Sequence, residues 1–294
     1  MRSRRQQDDL VGRLLLLPAL GVLAVVVGYP FLRGIQWSFT DFYLLKGLTD
    51  WNFIGLGNYV KFFQDPKTPP FLLNSFKWVA ASLALQFTLG LTLALLLNRP
   101  MRFRAVYRAL VLIPWVTPTV VGALIWRWIL HEQWGVVNLW LMRLGVVGEP
   151  IQWLSDSTLV WISLLVMAAW RFVPFWYVNI LAGLQTIPRE MYDAAAIDGA
   201  GRIGSFWHIT LPFLRPVLGV LFLLETVWRA NEFSTIWVMT EGGPAGATTT
   251  LAILTYQTGF LFHRIGYAAS MGVSLTIMLS FFAWYYLRRV RMEA

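Results

Sequence analysis

The stretch of sequence that decides the fold is Glu190–Pro212, EMYDAAAIDGAGRIGSFWHITLP. Long apolar segments flank it on both sides, but Asp, Arg and Gly recur within it. A segment this polar cannot lie in lipid, so it must face water or another protein. We call residues 186–212 the elbow, because the apolar remainder of the chain is arranged around it.

Two short helices joined by a glycine turn are predicted within the elbow. Thr186 is the predicted N-cap of the first helix, because its hydroxyl can accept a hydrogen bond from a free backbone N–H. The run Ala194-Ala195-Ala196 has the highest helix propensity and continues this helix. Gly199 and Gly201 then end it and turn the chain. Ser205 is the predicted N-cap of the second helix.

The composition is that of an integral membrane protein. Hydrophobic residues make up 57% of the chain and charged residues 13%, whereas soluble domains are about 45–50% apolar and about 25% charged. The net charge of +9 could indicate a nucleic-acid partner. However, the basic residues cluster at the ends of apolar segments, as membrane topology requires, so no nucleic acid is expected. Because there is no Cys and the three His are scattered, no metal site is expected.

We predict an all-α integral membrane protein. Its residues 1–294 form a single transmembrane domain with six transmembrane helices and both termini in the cytoplasm. The first apolar run could also be a signal peptide, but it is longer than such a segment and lacks a small-x-small cleavage site. Proline inside the third span predicts a kink. The predicted spans are residues 12–37, 71–97, 107–130, 159–182, 211–239 and 265–288. The elbow is the predicted cytoplasmic loop, and residues 39–70, 131–158 and 240–264 are the predicted extracytoplasmic segments.

Two short helices are predicted in these outer segments. Asn58 is the predicted N-cap of the first, which carries aromatic side chains suited to the membrane interface. Residues 135–145 form the second, since their apolar side chains recur at helical spacing.

Several ionisable side chains fall inside predicted spans. Arg171 lies in the fourth span, and Glu225, Arg229 and Glu232 lie in the fifth. A charge at the centre of a membrane helix costs about 2.5–3.5 kcal/mol, so such groups pair with each other or line water. The i,i+4 and i,i+3 spacings allow Arg229 to pair with both carboxylates. These residues could therefore join helices structurally or border a hydrophilic substrate cavity.

Aromatic side chains are dense around the same positions. A sugar presents apolar C–H faces and a rim of hydroxyls, which suits aromatic rings beside carboxylates, amides and guanidinium groups. The same rings could equally belong to the helix core or to an interfacial belt. The candidate substrate path comprises Arg171, Trp176, Tyr177, Glu225, Trp228, Arg229, Asn231, Glu232 and Phe233.

The motifs of ATP hydrolysis and of common enzymes are missing from the sequence. There is no G-x-x-x-x-G-K-[ST], H-E-x-x-H or G-x-S-x-G. If ATP drives this protein, its hydrolysis must occur on another polypeptide. One rival interpretation is a membrane enzyme that uses Glu225 and Glu232, two turns and about 10 Å apart on one helix face, as an acid–base pair. A passive channel, which would conduct without nucleotide, is another.

The elbow resembles the cytoplasmic "EAA" loop of ABC importer permeases. The family pattern is an acidic residue, Ala-Ala, three residues, Gly, nine residues, Ile, one residue and Leu-Pro. Here Asp193-Ala194-Ala195, Gly199, Ile209 and Leu211-Pro212 match it, with Asp in place of the usual Glu.

Three further segments resemble the carbohydrate-uptake branch of these permeases, of the maltose and glycerol-3-phosphate type. Phe53–Tyr59 is similar to its F-x-G-L-x-N entry segment, and Asn74-Ser75 is similar to the N-[ST] that opens its second span. Thr240-Glu241-Gly242-Gly243-Pro244, with the threonines 248–250 and Tyr256 beyond it, resembles its T-x-G-G-P…T…Y stretch.

The resemblance implies the type I importer permease fold in the cytoplasmic (inner) membrane of a bacterium or archaeon. It implies a second, homologous permease chain, two copies of a cytoplasmic ATPase subunit that hold the ATP and Mg, and an extracytoplasmic solute-binding protein. This chain would itself carry no cofactor. The cargo would be a sugar or, alternatively, glycerol-3-phosphate or another small polar solute. By the same resemblance, Met191–Asp198 is a coupling helix, and the ATPase-coupling residues are Glu190, Asp193, Ala194, Ala195, Asp198, Gly199, Ile209, Leu211 and Pro212.

Overall fold

The computed structural model describes residues 15–292, which fold almost entirely into helices. Within them the only β-type pairing is an isolated bridge between Thr40 and Phe53. The beginning of the first predicted span, residues 12–14, lies outside the described residues. In chain order the helices are α1 (Leu15–Ser38), α2 (Gly57–Gln64), α3 (Thr68–Asn98), α4 (Arg104–Val116), α5 (Thr119–Ile129), α6 (Val136–Arg143), α7 (Leu159–Gln185), α8 (Arg189–Ile197), α9 (Arg202–Ala230), α10 (Ser234–Thr240), α11 (Leu251–Leu261) and α12 (Ile265–Met292).

Five of these helices are long and apolar enough to cross a membrane: α1, α3, α7, α9 and α12. The pair α4 and α5 makes a sixth candidate span if it is counted as one, although the two helices meet at 95°. The break falls at Thr117-Pro118, because a residue before proline is driven out of the helical region and Thr117 has ψ 128°. Pro114, by contrast, lies inside α4.

The chain divides into two compact units. One comprises the chain up to Thr68 together with Leu254–Met278, and the other comprises Pro69–Ile253 together with the chain from Leu279 onward. In the first unit, the prediction that Asn58 caps α2 is wrong. Asn58 lies inside that helix, and its amide donates to the carbonyls of Ser38 (3.0 Å) and Thr40 (2.7 Å). Its role is to satisfy carbonyls left free where α1 ends.

The second unit is built around α7. In the most apolar window of α7, 56% of the residues are buried, against 22% for α3 and 28% for α9. Large apolar side chains of α7 enter two core clusters, one shared with α3 and α9 and the other shared with α3, α5 and α10. A Cβ on Gly90 would come within 2.5 Å of the Trp176 Cβ, so only glycine allows α3 to approach α7 this closely.

The beginning of α7 is fixed by Asp156. Its carboxylate accepts the backbone N–H groups of Leu159 and Thr158, each at 2.8 Å. These two hydrogen bonds, that from Leu159 first, hold the pKa of the carboxyl below its usual range. The charged carboxylate is therefore retained at neutral pH, where it complements the positive end of the α7 dipole.

Two of the motifs singled out above bind each other within the second unit. The Asn74 amide donates to the carbonyls of Gly246 (3.3 Å) and Thr249 (3.1 Å), and the Ser75 hydroxyl accepts the N–H of Leu251 at 2.7 Å. The Asn-Ser pair at the start of α3 thus holds the glycine-rich loop and the start of α11. The Asn-Ser motif and the glycine-rich motif therefore mark two segments that contact each other.

Candidate functional site

The first half of the elbow is the helix α8. The prediction that Thr186 caps it is wrong, because the Thr186 hydroxyl donates to the carbonyl of Gly183 (2.9 Å) and so completes the end of α7. Pro188, in an extended conformation, is the residue that precedes α8. The chain therefore turns between the two helices through only three residues, and Ile187 anchors this turn by being buried.

The glycine turn after α8 has the hydrogen bonds of a Schellman motif. The N–H of Ala200 donates to the carbonyl of Ala195 (2.8 Å), and the N–H of Gly199 donates to that of Ala196 (3.1 Å). Gly199 has φ +81°, which β-carbon-bearing residues rarely adopt. Gly201, with φ −74° and ψ 177°, has no such requirement. The predicted stop at Gly199 therefore has a specific conformational cause.

The second half of the elbow is the first part of α9. The prediction that Ser205 begins this helix is wrong, because α9 begins at Arg202 and Ser205 lies within it. From Phe206 to Thr210 the helix widens into a π turn, in which the Leu211 N–H donates to the carbonyl of Phe206. The widening comes just before Pro212, which has no N–H to offer the preceding turn. The elbow is thus continuous with the long apolar helix that follows it.

The helix α8 has one face toward the protein and one face outward. Tyr192 and Ala195 pack on the core cluster around α7, and the Tyr192 hydroxyl lies 3.0 Å from that of Thr210. Asp193 and Ala194 are exposed, so the two alanines of the motif lie on different faces.

The outward surface of the elbow carries large apolar side chains among charged ones. Four of the large apolar side chains are exposed: Ile197 by 87%, Ile203 by 78%, Trp207 by 59% and Met191 by 41%. Among the described residues, no salt bridge involves Glu190, Asp193 or Asp198. Several exposed large apolar side chains on an otherwise polar segment are typical of a protein-binding surface. Of the remaining motif residues, Ile209 is buried and Leu211 and Pro212 are half-buried.

The second candidate site is an ion cluster at the end of α9. Arg229 donates from Nε to Glu225 Oε2 (3.1 Å) and from Nη1 to Glu232 Oε2 (3.3 Å). The three side chains are 4%, 1% and 11% exposed in the order Arg229, Glu225, Glu232. The predicted pairing is confirmed. The Arg229 guanidinium also lies 3.6 Å from the ring centroid of Phe172, a contact that was not predicted.

The ion cluster lies where α9 is interrupted. Within the interval predicted for the fifth span, the helix ends at Ala230 and a new helix, α10, begins at Ser234. Glu232 stabilises the new start, since its Oε1 accepts the N–H of Thr235 at 2.9 Å. A carboxylate that binds both Arg229 and a helix N-terminus fixes the geometry of this break.

Arg171 differs from Arg229 in its partners. Its Nε and Nη1 atoms are buried and have no hydrogen-bond partner among the described residues. Its guanidinium lies 5.2 Å from the Phe172 ring centroid, so the two arginines share one aromatic ring. Such an arginine retains donors for a ligand or for another chain.

The other predicted path residues fall into two groups. Trp228, 46% exposed, packs on Phe175, and Asn231 is exposed and donates to the carbonyl of Val227. Phe233 is half-buried and stacks on Trp237. Trp176 and Tyr177, by contrast, are buried in the core between α3, α7 and α9, so in this structure they line no open path. Their aromatic character reflects close helix packing, which a single sequence does not distinguish from a binding surface.

Two buried polar residues were missed by the sequence analysis. Ser82 and Gln86 lie one turn apart on the face of α3 that carries Trp78, and both are fully buried. Neither the Ser82 hydroxyl nor the Gln86 amide has a partner within residues 15–289. Trp78, Ser82 and Gln86 follow one another at intervals of four residues, and this helical spacing was the sequence signal that could have placed the two polar residues on a buried face. The described part of the chain contains no cluster of His, Cys, Asp and Glu that could hold a metal ion.

Comparisons with known proteins agree with this architecture. Residues 86–292 match the family "Binding-protein-dependent transport system inner membrane component". A sulfoquinovosyl glycerol transport system permease protein of Agrobacterium fabrum is 36% identical over 97% of this chain and 91% of its own length. A trehalose/maltose transport system permease protein of Thermococcus litoralis is 36% identical over 94% of this chain and 92% of its own.

A solved structure shows the same fold. One chain of a bacterial ABC transporter that imports the acidic polysaccharide alginate superposes with a TM-score of 0.84 at 21% identity, covering 97% of this chain and 96% of the other. The predicted importer permease fold is therefore confirmed. With the family match and two relatives of 36% identity that align over nearly their whole length, this chain belongs to the family of binding-protein-dependent transport system inner membrane components.

Proposed function

We propose that the chain is the permease subunit of an ATP-driven, binding-protein-dependent sugar importer. The observation that carries this proposal is the elbow, a polar helix–turn–helix between two long apolar helices that exposes several large apolar side chains. The named sugar permeases to which the chain is similar support the substrate class. A lactose transport system permease protein of Rhizobium radiobacter, 31% identical over 96% of both chains, supports it further.

The chain works with four kinds of partner. A second, homologous permease chain completes the pathway, and an extracytoplasmic binding protein delivers the sugar. A solved alginate transporter in complex with its periplasmic protein provides the precedent for such delivery. Two copies of a cytoplasmic ATPase, which hold ATP and Mg, contact the elbows, and lipid surrounds the spans. This arrangement places both termini and the elbow in the cytoplasm of a bacterial or archaeal cell.

The elbow transmits force through its exposed apolar side chains. Moving a two-state equilibrium from 1:99 to 99:1 takes about 5.5 kcal/mol. An exposed ion pair at Asp193 would contribute about 0–1 kcal/mol. Burial of Ile197, Ile203 and Trp207 in a cleft of the ATPase provides the larger contribution, since a fully buried large apolar side chain contributes about 1.5–3 kcal/mol. Tyr192 and Ala195 then carry the motion to the core around α7.

The ion cluster borders the substrate pathway. Arg171 has buried N–H donors without a partner among the described residues, Trp228 offers an exposed ring, and Asn231 is exposed. Because Arg229 already donates to two carboxylates, it is not a second free cation for a phosphate ester, and a sugar fits better than glycerol-3-phosphate. The same contacts oppose an enzyme, because both Glu225 and Glu232 are engaged by Arg229.

A crosslinking experiment tests the coupling surface. The chain has no Cys, so Ile197→Cys introduces a single thiol on the outer face of α8. Treatment of native membranes with a crosslinker that carries a maleimide and a succinimidyl ester should join this thiol to a lysine amine of an ATP-hydrolysing subunit. The control is Val146→Cys, which is also well exposed, at 64% against 87% for Ile197, but lies beyond the opposite end of α7. Capture of the ATPase from Val146 and not from Ile197 would contradict the proposal.

Uptake measurements test the transported solute. Deletion of the chain should abolish ATP-dependent uptake of at least one labelled sugar from a panel that includes trehalose, maltose and lactose. Complementation with the intact chain should restore it. If uptake of glycerol-3-phosphate alone were lost, the substrate class would be wrong although the transport function would stand.

A further inference from the structure

At the end of α7 opposite to the elbow, the second unit contains a cavity of about 640 Å³. With 27 residues at about 1.5 Å each, α7 places the cavity roughly 40 Å from the elbow. Its walls are the segment after α5, the segment before α7 and the loop after α10, and its lining includes Arg127, His131, Glu132, Trp134, Gln152 and Glu241. These residues belong neither to the elbow nor to the ion cluster.

The walls of this cavity are fixed by a buried asparagine. Asn138, 2% exposed, donates to the carbonyls of Glu132 and Ile151, each at 2.9 Å. Its Oδ1 accepts the indole N–H of Trp153 at 2.9 Å. A single side chain thus holds together two segments of the lining, so the cavity is formed before any ligand arrives.

Trp134 provides an aromatic platform in the lining. Its ring stacks on that of His131 with centroids 3.7 Å apart and an angle of 9° between the planes, and the side chain remains 58% exposed. One face of the indole is covered by the imidazole, which leaves the other face for a ligand. The His131 Nδ1 accepts the N–H of Gln133 (3.2 Å), so the neutral ring carries its proton on Nε2 as a further donor.

The polar groups of the lining are paired in a way that suits a neutral ligand. Gln152 donates to Glu132 (3.1 Å), and Arg127 pairs with Glu241 at 3.9 Å. With two carboxylates against one guanidinium, the ionised side chains of the lining carry a net charge of −1 at neutral pH. This charge disfavours an anion. Carboxylates and amides accept hydrogen bonds from hydroxyls, and an indole face packs on sugar C–H groups.

From this combination we infer that the cavity is a binding site for a neutral mono- or disaccharide, separate from the transport pathway. The inference rests on the proposed sugar transport. The volume of the cavity lies within the range of about 300–1,000 Å³ typical of small-molecule sites. With the elbow in the cytoplasm, the cavity opens on the outer side, where it would hold sugar near the entrance of the permease.

Site-directed labelling of the Cys-free chain tests the inference. Gln133→Cys and Gln152→Cys each place one thiol in the lining, and Val146→Cys is an exposed control outside it. The assembled complex in cells or vesicles is treated with a membrane-impermeant maleimide, with and without maltose, trehalose or lactose. A bound sugar should slow labelling by about fourfold at three times its Kd, since protection grows as 1 + [L]/Kd. The rate at Val146→Cys should not change, and galacturonate should protect less.

A second substitution connects protection to the indole ring. Trp134→Ala in the Gln133→Cys background should remove most of the protection, whereas Trp134→Phe should retain part of it. The labelling rate without sugar reports whether the Trp134→Ala cavity is still folded. An equal rate without sugar, combined with lost protection, supports the role of the ring.

The possible failures are distinguishable. If no sugar protects either thiol while the same complex still imports sugar, the cavity inference is wrong and the proposed function stands. Protection that needs the binding protein but no sugar would show that a protein segment fills the cavity, which overturns the inference. If no sugar is imported, the proposed function is wrong, and protection by sugar would still support the cavity as a site.

Discussion

Arg229 donates to two carboxylates while almost wholly buried, so its charge is balanced by its immediate neighbours. Arg229→Ala would leave Glu225 buried without a partner, and breaking such a pair costs about 3–5 kcal/mol. We expect the variant to lose a large part of its thermal stability in detergent. The measurement is the melting temperature of the purified complex.

The matched control for this prediction removes the charges of Arg229 and Glu225 together and leaves Glu232 as it is in Arg229→Ala. In the double variant Arg229→Leu, Glu225→Gln, neither an unpaired cation nor an unpaired carboxylate remains at these two positions, so it should be more stable than Arg229→Ala. Equal melting temperatures for wild type and Arg229→Ala would show that the cluster adds nothing to stability.

At the residue scale, the sequence predicted pairings better than caps. The close sequence spacing of Glu225, Arg229 and Glu232 leaves few alternatives, because unpaired charges are costly in lipid. Thr186 and Asn58 were predicted as N-caps, but each satisfies carbonyls at the end of a preceding helix. The same side chain can serve a helix end on either side, and the sequence alone does not say which neighbour is closer.

At the element scale, the elbow depends on the left-handed conformation of Gly199. Gly199→Val should distort the Schellman turn, since a β-branched residue at φ +81° is strained. The first half of the elbow would then be misplaced relative to α9. We expect sugar uptake to fall more than tenfold while ATP hydrolysis by the complex continues, and the measurement is the ratio of the two rates.

Gly201→Val is the matched control for Gly199. Gly201 lies two residues away in the same turn, has a φ that any residue can adopt, and has no atom within 4 Å of a Cβ built on it. Its substitution should leave the ratio of uptake to hydrolysis nearly unchanged. Similar ratios for the two variants would refute the conformational role of Gly199.

The elements themselves were largely predictable, as was the proline kink between α4 and α5, but the interruption after α9 was not. Long apolar runs predicted α3, α7 and α12, because few other structures satisfy the backbone in lipid. The break at Asn231–Phe233 was missed, since it depends on Glu232 binding the start of α10. The candidate path was predicted from aromatic content, and the burial of Trp176 shows how composition alone fails to separate core from surface.

At the scale of the whole molecule, the elbow and the cavity lie at opposite ends of α7, and we expect them on opposite sides of the membrane. Gly201→Cys, which places a thiol at an exposed position of the elbow with room for a side chain, should react with an impermeant maleimide only after the cells are made permeable. Val146→Cys should react in intact cells. Labelling of both thiols from outside, or the reverse pattern, would contradict the proposed orientation.

The contact between Asn74 and the glycine-rich loop also constrains how the protein is made. The Asn74 amide and the Gly246 carbonyl that it binds are 172 residues apart in the chain. At about 5–20 residues per second, a ribosome needs about 10–30 s to synthesise that interval. Throughout this time the inserted α3 must keep its amide solvated or bound to a temporary partner. The nascent chain therefore reaches its final arrangement only late in translation, and insertion factors have that interval in which to shield it.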